Sequence, residues 1–366
     1  MNGEILLSVK GLKKYFPMPK KNLFQKERPF LRANDDITFD IKKGEVYGLV
    51  GESGSGKSTL GRTVLQLYKP TEGSVRYYGR NKGEFFLKGE KNEEEGIELS
   101  VLSKAEMRKL RRDLQIVFQD PYSSLNPRMT VGELIEEGAV THGFYKKDSN
   151  ELHAYAESIM TSCGLRADML RRYPHQFSGG QRQRVCIARA LAVQPKFIVC
   201  DECVSALDLS VQSQILNLLS ELKEREKLTY LFISHDLSVV RYISDRIGVM
   251  YLGKIVEEGD AKEIFENPRH PYTVALLSAV PTIERRKKEG EQIFLEGSMP
   301  SPVSPPKGCP FHTRCFMAEE ICQRIPAPAV KVGNGHRATC HFAEVTTEEK
   351  REIAQRKGGK TLLKNE

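Results

Sequence analysis

One octapeptide constrains this chain more than any other feature. Gly51-Glu52-Ser53-Gly54-Ser55-Gly56-Lys57-Ser58 fits the spacing G-x-x-x-x-G-K-[ST]. The preceding EVYGLV (45–50) reads as a compact apolar strand, and the following KSTLGRTVLQLY (57–68) reads as a helix. Strand, glycine loop and helix in that order form the setting in which such a loop cradles phosphate. The glycines let the backbone curl so that successive N–H groups converge on β- and γ-phosphates. The helix N-terminus adds positive potential. Lys57 is placed to neutralise phosphate charge, and the Ser58 hydroxyl to ligate Mg²⁺.

A phosphoryl-transfer site also needs a metal-holding carboxylate and a group that orients water. FIVCDE (197–202) supplies an apolar strand ending in two carboxylates. Asp201 suits Mg²⁺, directly or through water. Glu202, one residue on and so on the opposite side of the strand, suits polarisation of the attacking water. The C-terminal edge of parallel strands is where open α/β sheets bind ligands.

Along the chain, EILLSV (4–9) and DITFDI (36–41) alternate apolar and polar residues and predict strands, as does SVRYYG (74–79). The basic, Pro-containing PMPKKNLFQKERP (17–29) predicts a loop, and the polar segment from Arg80 to about Glu98 an exposed insertion. From about 132 to 171 the pattern is helical. Strands return at KFIVCD (196–201), LTYLFIS (228–234) and RIGVMYL (246–252), with helical segments between. That β-α-β alternation predicts a mainly parallel sheet with helices on both faces. A Pro-rich junction, MPSPVSPP (299–306), precedes a cysteine cluster, and the last 23 residues, with six basic and five acidic groups, predict a solvated helix or frayed tail.

The 366 residues, 39% of them hydrophobic, are enough for a sizeable core and two or so domains. A net charge of +8 permits anionic partners but selects none. No apolar run is long enough to span a membrane, and MNGEILLSVKGLKKYF carries no secretory pattern, so a cytoplasmic chain is expected. Of the eight cysteines, Cys163, Cys186, Cys200 and Cys203 fall in core elements and read as small hydrophobes. Cys309, Cys315, Cys322 and Cys340 follow the spacing C-x5-C-x6-C-x17-C. Four thiolates suit Zn²⁺, with His312, His336 and His341 as substitute ligands, or an Fe–S cluster; free thiols or disulfides are the remaining reading.

FSGGQRQR (177–184) resembles the signature motif of ABC ATPases, with Phe in place of the commoner leading Leu. Its Ser178, Gly179, Gly180 and Gln181 open a helix whose amides, in that family, face ATP held by the opposite subunit. Further pieces follow in family order. Gln119 in IVFQDP matches the Q-loop, and Ser205-Ala206-Leu207-Asp208 matches the D-loop. His235 in FISHD matches the switch histidine. Near the start, GLKKYF matches the adenine-stacking aromatic, Phe16 by spacing with Tyr15 as runner-up.

The likeness narrows further. VGESGSGKSTLGR, FQDPYSSLNPRM, RYPHQFSGGQRQR, DECVSALDLS and PRHPYT resemble dipeptide/oligopeptide (and nickel) permease ATPases over about residues 4–343. STLGR and VSALD resemble the F-type of their two paired ATPase subunits.

The resemblance implies an α/β P-loop ABC ATPase with an N-terminal antiparallel β-subdomain, a mainly parallel core sheet, a helical signature subdomain and a small Cys-rich extension. The divisions are 1–259 (helical part about 132–185), 260–343 and a charged tail 344–366. The implied nucleotide contacts are Phe16, Gly51, Ser53, Gly54, Ser55, Gly56, Lys57, Ser58 and Thr59, with Ser178, Gly179, Gly180, Gln181 and Asp208 serving the partner's ATP. Ser58, Gln119 and Asp201 would hold Mg²⁺, and Glu202, His235 and Gln119 would be catalytic. A [4Fe–4S] cluster on Cys309, Cys315, Cys322 and Cys340 is implied, with Zn²⁺ the alternative.

The implied activity is ATP hydrolysis energising import of di- or oligopeptides, with nickel or another small solute as the alternative. Implied partners are a D-type ATPase paralogue, two membrane permeases and, indirectly, an extracytoplasmic solute-binding protein. The implied location is the cytoplasmic side of the cell membrane, peripherally bound. A soluble ABC ATPase working on nucleic acid is a rival, but Arg108-Lys109, Arg111-Arg112 and Arg285–Lys288 lack interleaved aromatics, so no nucleic acid is expected. Intact Lys57, Asp201, Glu202 and His235 argue against a non-catalytic module.

Overall fold

In the computed structural model, the residues described are 3–20, 28–80, 96–280, 292–333 and 335–362. Most of the expected 17–29 loop and 80–98 insertion lies outside them.

Two sheets carry the chain. The first is antiparallel, in the order β2-β1-β4-β5. It comprises β1 (Ile5–Pro17), β2 (Phe30–Lys42), β4 (Glu72–Tyr77) and β5 (Ile97–Glu98). Here the structure corrects the far end of the expected insertion. Ile97 is buried and paired with Tyr77, while the Glu98 carboxylate accepts the Val75 N–H. A two-residue strand carries no periodic signal, and only its pairing reveals it.

The second sheet runs β11-β12-β10-β9-β3-β8-β7-β6. Its parallel part is β3 (Val46–Val50), β6 (Leu114–Val117), β7 (Phe197–Asp201), β8 (Thr229–Ile233) and β9 (Arg246–Tyr251). Every residue of β3, β7 and β8 is buried. Strands covered on both faces read as unbroken apolar runs, which is why these three were legible in the sequence. β10 (Lys254–Asp260), β11 (Ala329–Gly333) and β12 (His336–Thr339) extend the sheet in antiparallel fashion. The cysteine-bearing region is therefore stitched to the main sheet, covering an edge that would otherwise be open. A buried pair fixes the seam, His336 Nε2 lying 2.8 Å from Glu257 Oε1.

Helices fill the connections. α1 (Lys57–Val64) follows β3, and α2 (Lys104–Leu110) precedes β6. α3 (Val131–Thr141), α4 (Asn150–Ser162) and α5 (Gly179–Leu191) form the expected helical region. Their apolar faces meet through Leu134, Ile135, Ala156, Met160, Val185 and Ala188. α6 (Leu209–Glu226) and α7 (Leu237–Ile243) flank β8, and α8 (Ala261–Glu266) and α9 (Pro271–Ser278) follow β10.

The terminal helix α10 (Thr347–Leu362) is more than a solvated tail. Thr347, Lys350 and Ala354 are buried, and the Thr347 hydroxyl donates to Pro268 O at 2.9 Å. Cys163, Cys186, Cys200 and Cys203 are all buried in the core, as expected. Among the described residues no helix is long and apolar enough to cross a membrane.

Candidate functional site

The loop Gly51–Gly56 joins the C-terminal end of β3 to α1. Gly56 caps α1 in the left-handed region at φ 103, which turns the first helical N–H groups toward the loop's concavity. Lys57 is buried, and its ammonium donates to Gly51 O at 2.7 Å and Glu52 O at 3.0 Å. Burial lowers its pKa, opposed by the negative charges of Glu202, Asp201 and Glu52. The Ser55 hydroxyl is buried with no protein partner.

Adjacent parallel strands bring the remaining groups to the same edge. Register pairs Leu49 with Ile233, Asp201 with Ile233 and Val117 with Cys200, so the residues just beyond β6, β7 and β8 line up beside the loop. Glu202 leaves β7 at φ 49, an uncommon conformation for a non-glycine residue, held by its N–H donating to Ile233 O at 3.0 Å. Its Oε2 accepts from Gln119 Nε2 at 3.0 Å and lies 3.2 Å from His235 Nδ1. Gln119, Glu202 and His235 come from three strand ends, and they line one open cavity of about 470 Å³ with Gly51, Glu52 and Ser53.

Asp201 is buried. Its Oδ2 meets Arg62 Nη2 at 3.4 Å, while its Oδ1 is buried without a partner. An orphaned carboxylate oxygen beside the phosphate loop fits a divalent cation, since an unpaired buried acceptor is otherwise costly.

The signature segment is exposed at Ser178 and Gly179. Ser178 caps α5 reciprocally with Gln181, N–H to Oε1 at 3.0 Å and N–H to Oγ at 3.4 Å. A methyl group on Gly180 would sit 2.3 Å from Val211 Cγ1, so the helix start packs tightly on α6. Asp208, also exposed, caps α6 through Val211 N–H at 3.0 Å. Neither segment lines the cavity formed by Gly51, Gln119, Glu202 and His235.

Near the N-terminus the two aromatic candidates differ. Tyr15 is pinned, its hydroxyl donating to Asp35 and its ring lying 5.8 Å from the Arg32 guanidinium. Phe16 is half-buried edge-on against Tyr68, with Lys14 Nζ at 4.8 Å from its centroid.

The four C-terminal cysteines are free thiols, three of them buried and Cys315 half-buried, and Cys309 N–H donates to Cys322 O at 2.8 Å. Cys315 feels the charge of Cys340, Cys309 and Cys322, and burial is the leading cause that pushes its thiol up to about 12 and that of Cys340 to about 11. Cys315 Sγ accepts from Met317 N–H at 3.4 Å, and Cys340 Sγ from Phe342 N–H at 3.3 Å. Among the described residues, however, no three His, Cys, Asp or Glu side chains close on a common point as a metal site requires.

Sequence reasoning left several contacts of the loop unassigned. Arg314 and Tyr272 both bond Glu52, and Asn34 Nδ2 donates to Gly56 O at 3.1 Å. Tyr272 lies in the quoted HPYT run, but Arg314 and Asn34 carry no local signal.

Comparison with known proteins adds to this geometry. Residues 34–205 match the family described as "ABC transporter", and residues 256–322 match "Oligopeptide/dipeptide transporter, C-terminal region". An oligopeptide transport ATP-binding protein, AppF of Bacillus subtilis, is 48% identical over 343 residues, covering 93% of this chain and 98% of its own. The dipeptide transport ATP-binding protein DppF of Haemophilus influenzae is 46% identical over 319 residues, covering 87% and 90%. Among solved structures, the ATP-binding cassette MJ0796, dimeric and bound to ADP and Pi, superposes with TM-score 0.58 at 30% identity, covering 70% of this chain and 99% of that one.

Proposed function

The chain belongs to the ABC transporter family, and on that premise we propose that it binds and hydrolyses ATP to energise import of di- or oligopeptides by a membrane transporter. The observation that carries this reading is the convergence of Gln119, Glu202 and His235 on one cavity beside the phosphate loop. The C-terminal region shared with oligopeptide and dipeptide transporters favours peptides over nickel as cargo.

In this reading Gly51–Ser58 and Thr59 wrap the triphosphate, Lys57 neutralises its charge, and Phe16 packs on the adenine. Ser58, Asp201 and Gln119 would hold Mg²⁺, which when bound would supply neutralisation of the phosphate charge. Glu202 accepts a proton from the attacking water, and Gln119 and His235 fix the orientation of its carboxylate. His235 also steadies the γ-phosphoryl group. Acceleration comes from positioning and electrostatics, as phosphoryl transfer requires.

Ser178–Gln181 and Asp208 serve the ATP of a second ATPase subunit, for which the D-type paralogue is proposed; the exposure of Ser178, Gly179 and Asp208 supports this. A shallow groove beside β6, lined by Ile116, Phe118, Ser124 and Arg189, is offered to a permease segment. The assembly comprises two permeases, fed by an extracytoplasmic binding protein, with this chain peripheral on the cytoplasmic face. The chain divides into a nucleotide-binding part (1–259), an extension (260–343) and a tail (344–366). Co-expression with the partner ATPase and permeases in vesicles is expected to give ATP hydrolysis that rises when binding protein and peptide are added. Hydrolysis indifferent to peptide would remove the transport assignment.

The extension's four cysteines are proposed to hold a [4Fe–4S] cluster, with Zn²⁺ as the alternative. Four free thiols in one small extension are the donor type that such a cluster takes, and two already accept N–H bonds of the kind that tune cluster sulfurs, although the side chains do not close on one point in this structure. Thiols raised by burial must lose their protons on binding, so loading is expected to fall at low pH. Protein purified anaerobically is expected to contain iron and acid-labile sulfide and to show visible thiolate-to-iron absorption. Zinc without iron, or neither, would overturn the cluster.

A further inference from the structure

The second position of the phosphate loop is one that phosphate chemistry leaves open, yet here it is tied down from a distance of 262 residues. Arg314 Nη1 lies 3.1 Å and 3.0 Å from the two carboxylate oxygens of Glu52. The Glu52 N–H donates to the Tyr272 hydroxyl at 2.9 Å. The Glu52 carbonyl in turn accepts from Lys57 Nζ at 3.0 Å. One residue thus joins the C-terminal region to the loop lysine.

The anchoring side is rigid. Tyr251, Tyr272 and Phe311 pack mutually with centroids 4.8–5.4 Å apart, and the Arg314 guanidinium lies 5.9 Å from the Tyr251 ring. Arg314 ends a tight turn, His312–Arg314, set between Cys309 and Cys315 and stapled by Cys309 O, which lies 2.8 Å from His312 Nδ1. Its side chain is 7% exposed, whereas Glu52 is 28% exposed and lines the nucleotide cavity. A carboxylate at the mouth of a triphosphate site repels the ligand unless it is neutralised, and a desolvated guanidinium does that at short range.

We propose that Arg314 and Tyr272 are positioning residues for the nucleotide. They clamp the front of the phosphate loop from the C-terminal region, and Arg314 cancels the Glu52 charge that the phosphates would otherwise face. The proposal rests on the reading of Gly51–Ser58 as the ATP site.

The test is equilibrium binding of a fluorescent ATP analogue to the full purified chain, beside the variants R314Q, E52Q, E52Q/R314Q and K57A, with thermal unfolding recorded for each. R314Q is expected to bind about tenfold more weakly, because the Glu52 charge is left uncompensated. The loss should be larger at low salt. E52Q/R314Q is expected to recover to within about twofold of E52Q alone, since the repulsive group is gone. A merely structural role for Arg314 would leave the double variant as weak as R314Q, and that result would overturn the proposal. So would R314Q binding within about twofold of the parent. A parent chain that binds no better than K57A removes the ATP reading itself, and with it the brace.

Discussion

Glu202→Gln is expected to keep ATP bound while cutting turnover at this site by about 10²–10⁴-fold, the usual contribution of a positioned general base. The amide matches the carboxylate in shape, so the contact with Gln119 at 3.0 Å, the approach to His235 at 3.2 Å and the backbone bond to Ile233 are largely kept. What disappears is the capacity to take a proton from water. Phosphate release should collapse in the reconstituted assembly, while retained nucleotide, measured after rapid filtration, should rise above the parent's. Near-parental phosphate release would remove the role assigned to Glu202.

The second large effect falls on binding. Gly56→Ala is expected to weaken nucleotide affinity by on the order of 10²-fold, from about 1–3 kcal/mol of backbone strain plus a steric clash of similar size. Gly56 sits at φ 103, and an added Cβ would lie 2.1 Å from Ala33 O and 3.1 Å from Asn34 Nδ2. The neighbouring atom is backbone of β2, so a side-chain rotation cannot relieve the contact. The loop must shift instead, taking with it the N–H groups at the start of α1. Calorimetric titration with a non-hydrolysable ATP analogue reads this directly, and circular dichroism should show the secondary structure retained. Parental affinity would mean that the loop geometry is not what binds.

Much of this site was legible in the sequence because its chemistry is written in short spacings. The loop Gly51–Ser58, the pair Asp201–Glu202, and Gln119 and His235 each sit at the end of an apolar run, and such runs are readable when a strand is buried on both faces. β10, β11 and β12 were not legible. β11 alternates exposed and half-buried residues, β12 has four residues, and β10 carries Glu257 and Glu258 inside the protein, where both are held by long-range partners. A buried glutamate paired with a histidine 79 residues away looks like a solvated strand until the partner is seen. The insertion near 80–98 was misjudged at its far end for the same reason, since Ile97 is buried only because β4 pairs with it.

The local sequence by itself determined the phosphate loop: glycines where positive φ is needed, a lysine, a hydroxyl, and a helix to end on. It also determined which residue types stand at the strand ends. Tertiary structure decided which of them meet. Gln119 and Glu202 are 83 residues apart, Glu202 and His235 are 33 apart, and Glu52 and Arg314 are 262 apart. Spacing of a few residues is enforced by the backbone's own geometry. Contacts across tens or hundreds of residues exist only after parallel strands have set their register and an aromatic cluster has fixed the C-terminal turn.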